Sequence, residues 1–327
     1  VYMSETEKEK EKEKRIAYYQ VCENLNAVMQ QKATGKESRI AKLCFEQIEF
    51  PFKFHVEESD DGDKIFLEEL EGGVMRYVSE NRVIDTLIDF TFKLPASKFK
   101  HFKLDHTKAK KVMLFWQAVT PPFPHKIKPI LQKSTPGYTF HRLDFDMAET
   151  ETPTFDYLIE ALDTNKEAFL AYIGALFDPY KTPQQYLWLS GNGGDGKGTL
   201  FRILHKIFNQ SYISISTEPR DIDKYWQSTL VGKRLAVCGD TKNLGFINSS
   251  IFMQVTGGDH VSIRRMQKEA YTTELNCMFL FGANADPEIT TEDSGQRRAI
   301  ICRLDRKNYQ YIEGFEDKLW EERAGIV

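Results

Sequence analysis

The alternation of polar and apolar positions divides the chain into stretches of different texture. Apolar residues Ile16, Tyr19, Leu25, Val28 and Met29 fall at helical spacing, which predicts helices over 16–47 with a break near Gly35. Residues 65–70 and 74–78 read as short strands turning at Gly72-Gly73, a hairpin signal. Residues 82–92 and 106–119 have the spacing of amphipathic helices. Pro121, Pro122, Pro124, Pro129 and Pro136-Gly137 then mark an extended connector. Thr152-Pro153-Thr154 is a helix start signal, and the apolar pattern predicts one helical stretch over 155–176. Beyond Pro183, buried strands alternate with helices, the mark of a parallel α/β sheet.

These textures predict an α/β protein of several parts. A charged helical segment occupies 1–45, and 46–120 form a small α/β domain, winged-helix-like in its strand and helix content. The connector follows at 121–154, a helical segment at 155–182 and a larger α/β domain at 183–327. The run EKEKEKEKR at 7–15 reads as a solvated tail.

Composition narrows the class. With 41% hydrophobic and 28% charged residues, the 327-residue chain is an ordinary soluble globular protein. A net charge of −4 argues against coating nucleic acid with the whole surface, although a local basic path remains open. Cys22, Cys44, Cys238, Cys277 and Cys302 show neither C-x-x-C spacing nor an accompanying His pair, so zinc and a disulfide framework are not expected. No apolar run approaches the ~18 residues of a membrane span. A cytoplasmic protein is expected, as part of a longer polypeptide.

The chemistry concentrates after Pro183. The apolar strand 186–190 runs directly into Gly191-Asn192-Gly193-Gly194-Asp195-Gly196-Lys197-Gly198-Thr199 and a helical pattern. Glycines let a backbone wrap closely around phosphates, with N–H groups and a helix N-terminus aimed at the anion. Lys197 would reach the β- and γ-phosphates as a point charge. Gly198 stands where a Ser or Thr commonly holds Mg²⁺, which leaves Thr199 as the nearest hydroxyl.

Three weaker signals follow in order. Asp240 ends the strand-like run from Arg234, suited to binding Mg²⁺ or polarising water, or simply to a turn. Asn284 ends the strand at 277–281 and its glycine turn, where it could orient water or equally turn the chain. Arg297-Arg298 precede the strand at 299–304, as a surface ion pair or as an arginine completing a neighbour's site.

Arg234-Leu235-Ala236-Val237-Cys238-Gly239-Asp240, Asn248, Thr256-Gly257-Gly258-Asp259, Arg264-Arg265-Met266-Gln267-Lys268-Glu269 and Gly282-Ala283-Asn284 together resemble superfamily 3 helicases. The likeness is strongest to the poxvirus-type primase-helicase subgroup of phages, plasmids and large DNA viruses, and it covers about 155–304. The resemblance implies AAA+-like subunits in a homo-hexameric ring, with ATP and Mg²⁺ between neighbours and movement along single-stranded DNA. Gly191, Gly193, Gly194, Gly196, Lys197, Gly198 and Thr199 would then bind the nucleotide. Asp240 would be the Walker B acid and, with Thr199, a metal ligand. Asn284 would be the sensor and Arg298 or Arg297 the finger acting in trans. A β-hairpin within 260–274 would enter the ring pore, with Lys268 near its tip and Arg264 and Arg265 at its base. The family usually carries Glu at the place of Asp240, and the subgroup often Lys at that of Met253.

A second basic region, Lys98, Lys100 and Lys103 with Lys108, Lys110, Lys111 and Trp116, reads two ways. Lysines interleaved with aromatics can bind phosphates and stack bases; a lysine-rich helix face exposed to water explains them more simply. The leading expectation is a replication helicase joined to a primase or polymerase domain on the longer chain. A DNA-dependent ATPase that loads or initiates without unwinding, and a non-motor phosphate-loop kinase, are the competing readings.

Overall fold

The computed structural model describes residues 53–58, 64–93, 104–162, 165–180, 183–218, 226–241, 245–247, 249–264, 270–287, 298–305 and 312–326. The expected helices at 16–47, the charged run at 7–15, and Lys98, Lys100, Lys103, Asn248, Arg265, Lys268 and Arg297 lie outside them. Described residues up to 124, except 71–75, form one compact unit; 71–75 and those from 125 onward form a second.

Strands β1 (Lys53–Glu58), β2 (Lys64–Leu70) and β3 (Val74–Val78) form a sheet in that order. β1 pairs antiparallel with β2, Val56 opposite Phe66. Helices α1 (Glu80–Lys93) and α2 (His106–Val119) pack on each other. The hairpin and both helices match the sequence pattern, whereas β1 was not predicted. Asp105 caps α2 by accepting the Lys108 N–H at 2.9 Å. Trp116 contradicts a base-stacking role: it is 4% exposed, stacked on Phe66 with ring centroids 4.9 Å apart. Its apolar face belongs to the core, while Lys108, Lys110 and Lys111 point into solvent.

The second unit is built on a five-stranded parallel sheet. Its strands are β4 (Tyr186–Gly191), β5 (Tyr212–Ser214), β6 (Leu235–Cys238), β9 (Met278–Ala283) and β10 (Ala299–Leu304). The order is β10-β4-β9-β6-β5, so β4 lies between the last two strands of the chain. Parallel strands buried on both faces read as continuous apolar runs, and the residues alternate accordingly. Leu187, Leu189, Leu235, Val237 and Leu280 join a core with helices α3 (Pro153–Ile159), α4 (Lys166–Phe177) and α5 (Lys197–Phe208). Tyr186, Phe279 and Phe281 face the other way, against Phe252 of helix α7 (Ser250–Gly257). A one-turn helix α6 (Trp226–Thr229) precedes β6.

The single helical stretch expected over 155–176 is two helices. The chain leaves α3 after Ile159, Leu162 makes an antiparallel bridge with Leu304, and Asn165 adopts a left-handed conformation (φ 55°) to start α4. Asn165 also donates to the Ile301 carbonyl at 2.7 Å. An uninterrupted apolar period therefore conceals a bend set by β10. The proline-rich stretch after 124 has no regular element, yet it sends Ile130, Leu143 and Phe145 into the main core.

Arg234 fixes the sheet to α4. The side chain is fully buried, and its guanidinium donates to the carbonyls of Leu176 (2.8 Å), Ala175 (2.5 Å), Asp178 (2.8 Å) and Asn276 (3.2 Å). A cation at a helix C-terminus meets carbonyls that lack intrahelical partners and the negative end of the dipole.

Strands β7 (His260–Arg264) and β8 (Ala270–Glu274) form a separate antiparallel pair, with His260 opposite Glu274 and Arg264 opposite Ala270. Arg264 therefore stands at the turn end of the pair and not at its base, because the base is His260–Glu274. The chain closes with helix α8 (Phe315–Glu321). Among the described residues, no helix is long and apolar enough to cross a membrane.

Candidate functional site

The C-terminal ends of β4, β6 and β9 lie side by side where the strand order reverses, the place at which open α/β sheets bind ligands. A cavity of about 730 Å³ opens there. Its floor is the glycine-rich loop: Gly193, Gly194, Asp195, Gly196, Lys197, Gly198 and Thr199 all line it, with Gly239 and Asn284 from the neighbouring strand ends.

The loop's shape follows from its residues. Gly193, Gly194 and Gly196 have φ of 86°, 68° and 106°, backbone conformations costly for any residue with a Cβ. At Gly196 an added Cβ would also stand 2.6 Å from Leu158 Cδ1. Gly196 is the N-cap of α5 and supplies no side-chain acceptor; the first N–H of that helix, that of Lys197, donates to Asp195 Oδ1 at 3.2 Å, and the helix start faces the anion position. Lys197 is buried, its Nζ donating to the Gly191 carbonyl at 2.8 Å and the Asp195 carboxylate at 2.6 Å.

Asp240 is exposed, one residue beyond the cavity-lining Gly239. The strand ends carrying Asp240 and Asn284 are tied together where the Thr241 N–H donates to the Gly282 carbonyl at 2.7 Å. Thr199 accepts from Arg202 Nη2 at 3.0 Å, and Arg202 Nε donates to Glu316 at 2.7 Å. Among the described residues, no cluster of three or more His, Cys, Asp or Glu could hold a metal by itself.

Arg298 lies outside its own chain's cavity. Its Nη1 donates to the Met253 carbonyl at 2.5 Å and the Thr256 hydroxyl at 2.8 Å, both on α7. Gly257 is close enough that an added Cβ would meet Asp259 Oδ2 at 3.1 Å and Arg298 Nη1 at 3.6 Å. Thr256 and Gly257 thus border the guanidinium.

Further lining residues escaped the sequence reading. Tyr157 and Leu158 of α3 and Ile312 and Phe315 near α8 make an apolar wall beside the loop. The Tyr157 and Phe315 rings meet edge to face at 6.1 Å. The wall is fixed by Glu322, whose carboxylate accepts the N–H groups of Thr154 (2.9 Å) and Phe155 (2.9 Å) at the start of α3. Thr152, the N-cap residue of α3, makes no side-chain cap bond there. Arg202 also escaped it, a cation beside Gly198 and Thr199. Only its i+3 spacing from Thr199 could have indicated it.

The fold and loop define an α/β domain of the phosphate-loop NTPase type. Residues 189–298 match the model of a family of unknown function, DUF5906. No curated protein sequence matches the chain. Among solved structures, the A form apo structure of the NrS-1 C terminal region is similar, with a TM-score of 0.59 at 13% identity. That match covers 84% of this chain and 65% of the other, so this chain spans less than two thirds of it. A second structure of the region, 305–718, gives 0.55 at 12% identity over 84% and 65%. At such identities the likeness is one of fold. A JCV helicase structure with a bound small molecule reaches 0.35 at 14% identity over 53% and 51% of the two chains, too little to weigh.

Proposed function

We propose that this chain carries the ATP-hydrolysing motor of a ring-forming DNA helicase or translocase of the superfamily 3 type, serving replication of a phage, plasmid or virus. The observation that carries the reading is the cavity itself. One glycine loop, a buried lysine, the Asn284 strand end and an aromatic wall converge on about 730 Å³ at the switch point of a parallel sheet. In this reading the triphosphate lies on the N–H groups of the loop and α5, beside Lys197, and the base lies against Tyr157 and Phe315. Asn284 orients the attacking water.

The oxygen donors present suit Mg²⁺, which takes one or two protein ligands and completes its shell with phosphate and water. Asp240 and Thr199 would hold it, and Arg202 must then release the Thr199 hydroxyl it now engages. When bound, the ion would neutralise charge on the phosphates.

Arg298 does not line its own chain's cavity, as expected of a finger serving a neighbouring subunit. The β7–β8 pair supports a DNA-contacting hairpin, with Arg264 at the turn end of β7 and Arg265 and Lys268 in the segment between the strands. Homo-hexamers, single-stranded DNA and a primase or polymerase domain on a longer polypeptide complete the proposal.

Its test is ATP turnover by wild-type and Lys197→Ala protein, alongside the mass of the assembly. Turnover should fall at least ~10²-fold, the scale of losing a main electrostatic stabiliser, in protein that remains folded. Near-wild-type turnover by the variant would remove the site from this loop.

A further inference from the structure

The phosphate loop contains its own anion. Asp195 is 5% exposed, beside a Lys197 that is 8% exposed. Its Oδ2 accepts from Lys197 Nζ at 2.6 Å, and its Oδ1 accepts the Lys197 N–H at 3.2 Å. The carboxylate thus takes both the side-chain cation and a backbone N–H in the first turn of α5, the two kinds of donor a phosphate would use. It also lies hard against Gly191: an added Cβ there would stand 1.8 Å from Asp195 Oδ2. Gly191 has an ordinary strand conformation, and an added Cβ would also stand 2.8 Å from the Leu304 carbonyl, so the carboxylate and the neighbouring strand together require glycine at this position.

We propose that Asp195 is an internal stand-in for phosphate, which holds Lys197 in place in the nucleotide-free loop and must be displaced from it when a nucleotide binds. This rests on the reading that the loop binds a nucleoside triphosphate. The lysine ammonium has three protons to donate. Asp195 and the Gly191 carbonyl take two of them, and a phosphate oxygen approaching the third meets a carboxylate of like charge in a site with little water to screen it. Removing Asp195 from its present position frees Lys197 for phosphate and relieves that repulsion. The same contact keeps the ammonium paired while the site is empty, since a buried unpaired charge is costly. Asp195 is therefore a positioning residue: it sets how strongly nucleotide binds, while Lys197 acts on the phosphates.

The test is ADP affinity, by calorimetry, for wild type, Asp195→Asn, Asp195→Glu and Lys197→Ala. Asparagine keeps the shape and removes the charge, so Asp195→Asn should bind ADP about tenfold tighter or more, and inorganic pyrophosphate tighter as well. Asp195→Glu restores the charge and should return affinity toward wild type. The nucleotide-free Asp195→Asn protein should also unfold at a lower temperature, having lost the partner of Lys197. Asp195→Ala gives the same readout should the asparagine variant not fold. Unchanged or weaker ADP binding by folded charge-removing variants overturns the proposal. If Lys197→Ala binds ADP as wild type does, the nucleotide site lies elsewhere and the earlier reading falls with it. Weakened binding by Lys197→Ala combined with unaltered binding by Asp195→Asn removes only the role given to Asp195.

Discussion

Arg298 donates a hydrogen bond to the Thr256 hydroxyl at 2.8 Å, joining the start of β10 to the last turn of α7. Thr256 in turn donates to the Phe252 carbonyl at 2.9 Å, and Phe252 is fully buried under the sheet. The guanidinium is thus referenced to the aromatic core through the Thr256 hydroxyl, beside its second bond to the Met253 carbonyl.

If Arg298 completes a neighbour's site, Arg298→Ala should lose ATP turnover while ADP binding to its own cavity is retained. Thr256→Val keeps the volume and removes the acceptor, so kcat should fall by a smaller factor than in Arg298→Ala, again with ADP affinity unchanged. Mixing Arg298→Ala with Lys197→Ala protein should restore activity, because some interfaces pair a sound loop with a sound finger. Absence of rescue in demonstrated mixed assemblies would contradict a role in trans.

Phe315 tests the apolar wall. Phe315→Ala should weaken ADP binding by about tenfold, the order expected for losing one aromatic face of a base site. Binding of inorganic pyrophosphate, which has no base, should remain at the wild-type value. Equal losses for both ligands would show that the variant had disturbed the loop and not a base-binding surface.

The loop and its flanking β4 and α5 were legible because everything that makes them is local: an apolar strand, glycines at positive φ, and a helix beginning at Lys197. The aromatic wall was not. Tyr157 and Phe315 are far apart in the chain, and Glu322 rather than Thr152 caps α3, so no window of sequence contains the arrangement. Trp116 misled for a related reason, since aromatics interleaved with lysines look alike whether they stack on bases or on Phe66. Arg234 was visible only as the first letter of a motif strand, although its bonds to four carbonyls concern the fold.

Arg234→Met should accordingly destabilise the second unit without touching the site. Each buried carbonyl left without a donor costs about 1–3 kcal/mol, so a loss of about 3 kcal/mol or more is expected in denaturant unfolding. A variant as stable as wild type would show that these carbonyls find other partners.

Burial pushes the Cys277 thiol up to about 12, and that of Cys302 up to about 11. In the unfolded chain both return toward 9.0. Between those values the folded state holds protons that the unfolded state has released, so stability is complete below about pH 9 and declines as pH rises toward 12. Denaturant unfolding between about pH 8 and about pH 10.5 should show this decline, and a shallower one in Cys277→Ala. Identical slopes in the two proteins would contradict the assignment to Cys277.

The central claim is that ATP hydrolysis at Lys197 is coupled to single-stranded DNA, and steady-state ATP turnover with and without a single-stranded oligonucleotide tests it most directly. The account predicts that wild-type turnover rises several-fold on adding DNA and that Lys197→Ala shows no turnover to stimulate. The rise should weaken with added salt, as contacts to phosphates require. Wild-type turnover that depends on Lys197 yet is unchanged by DNA, at any salt concentration, would contradict a DNA motor and leave a phosphate-loop enzyme of another kind.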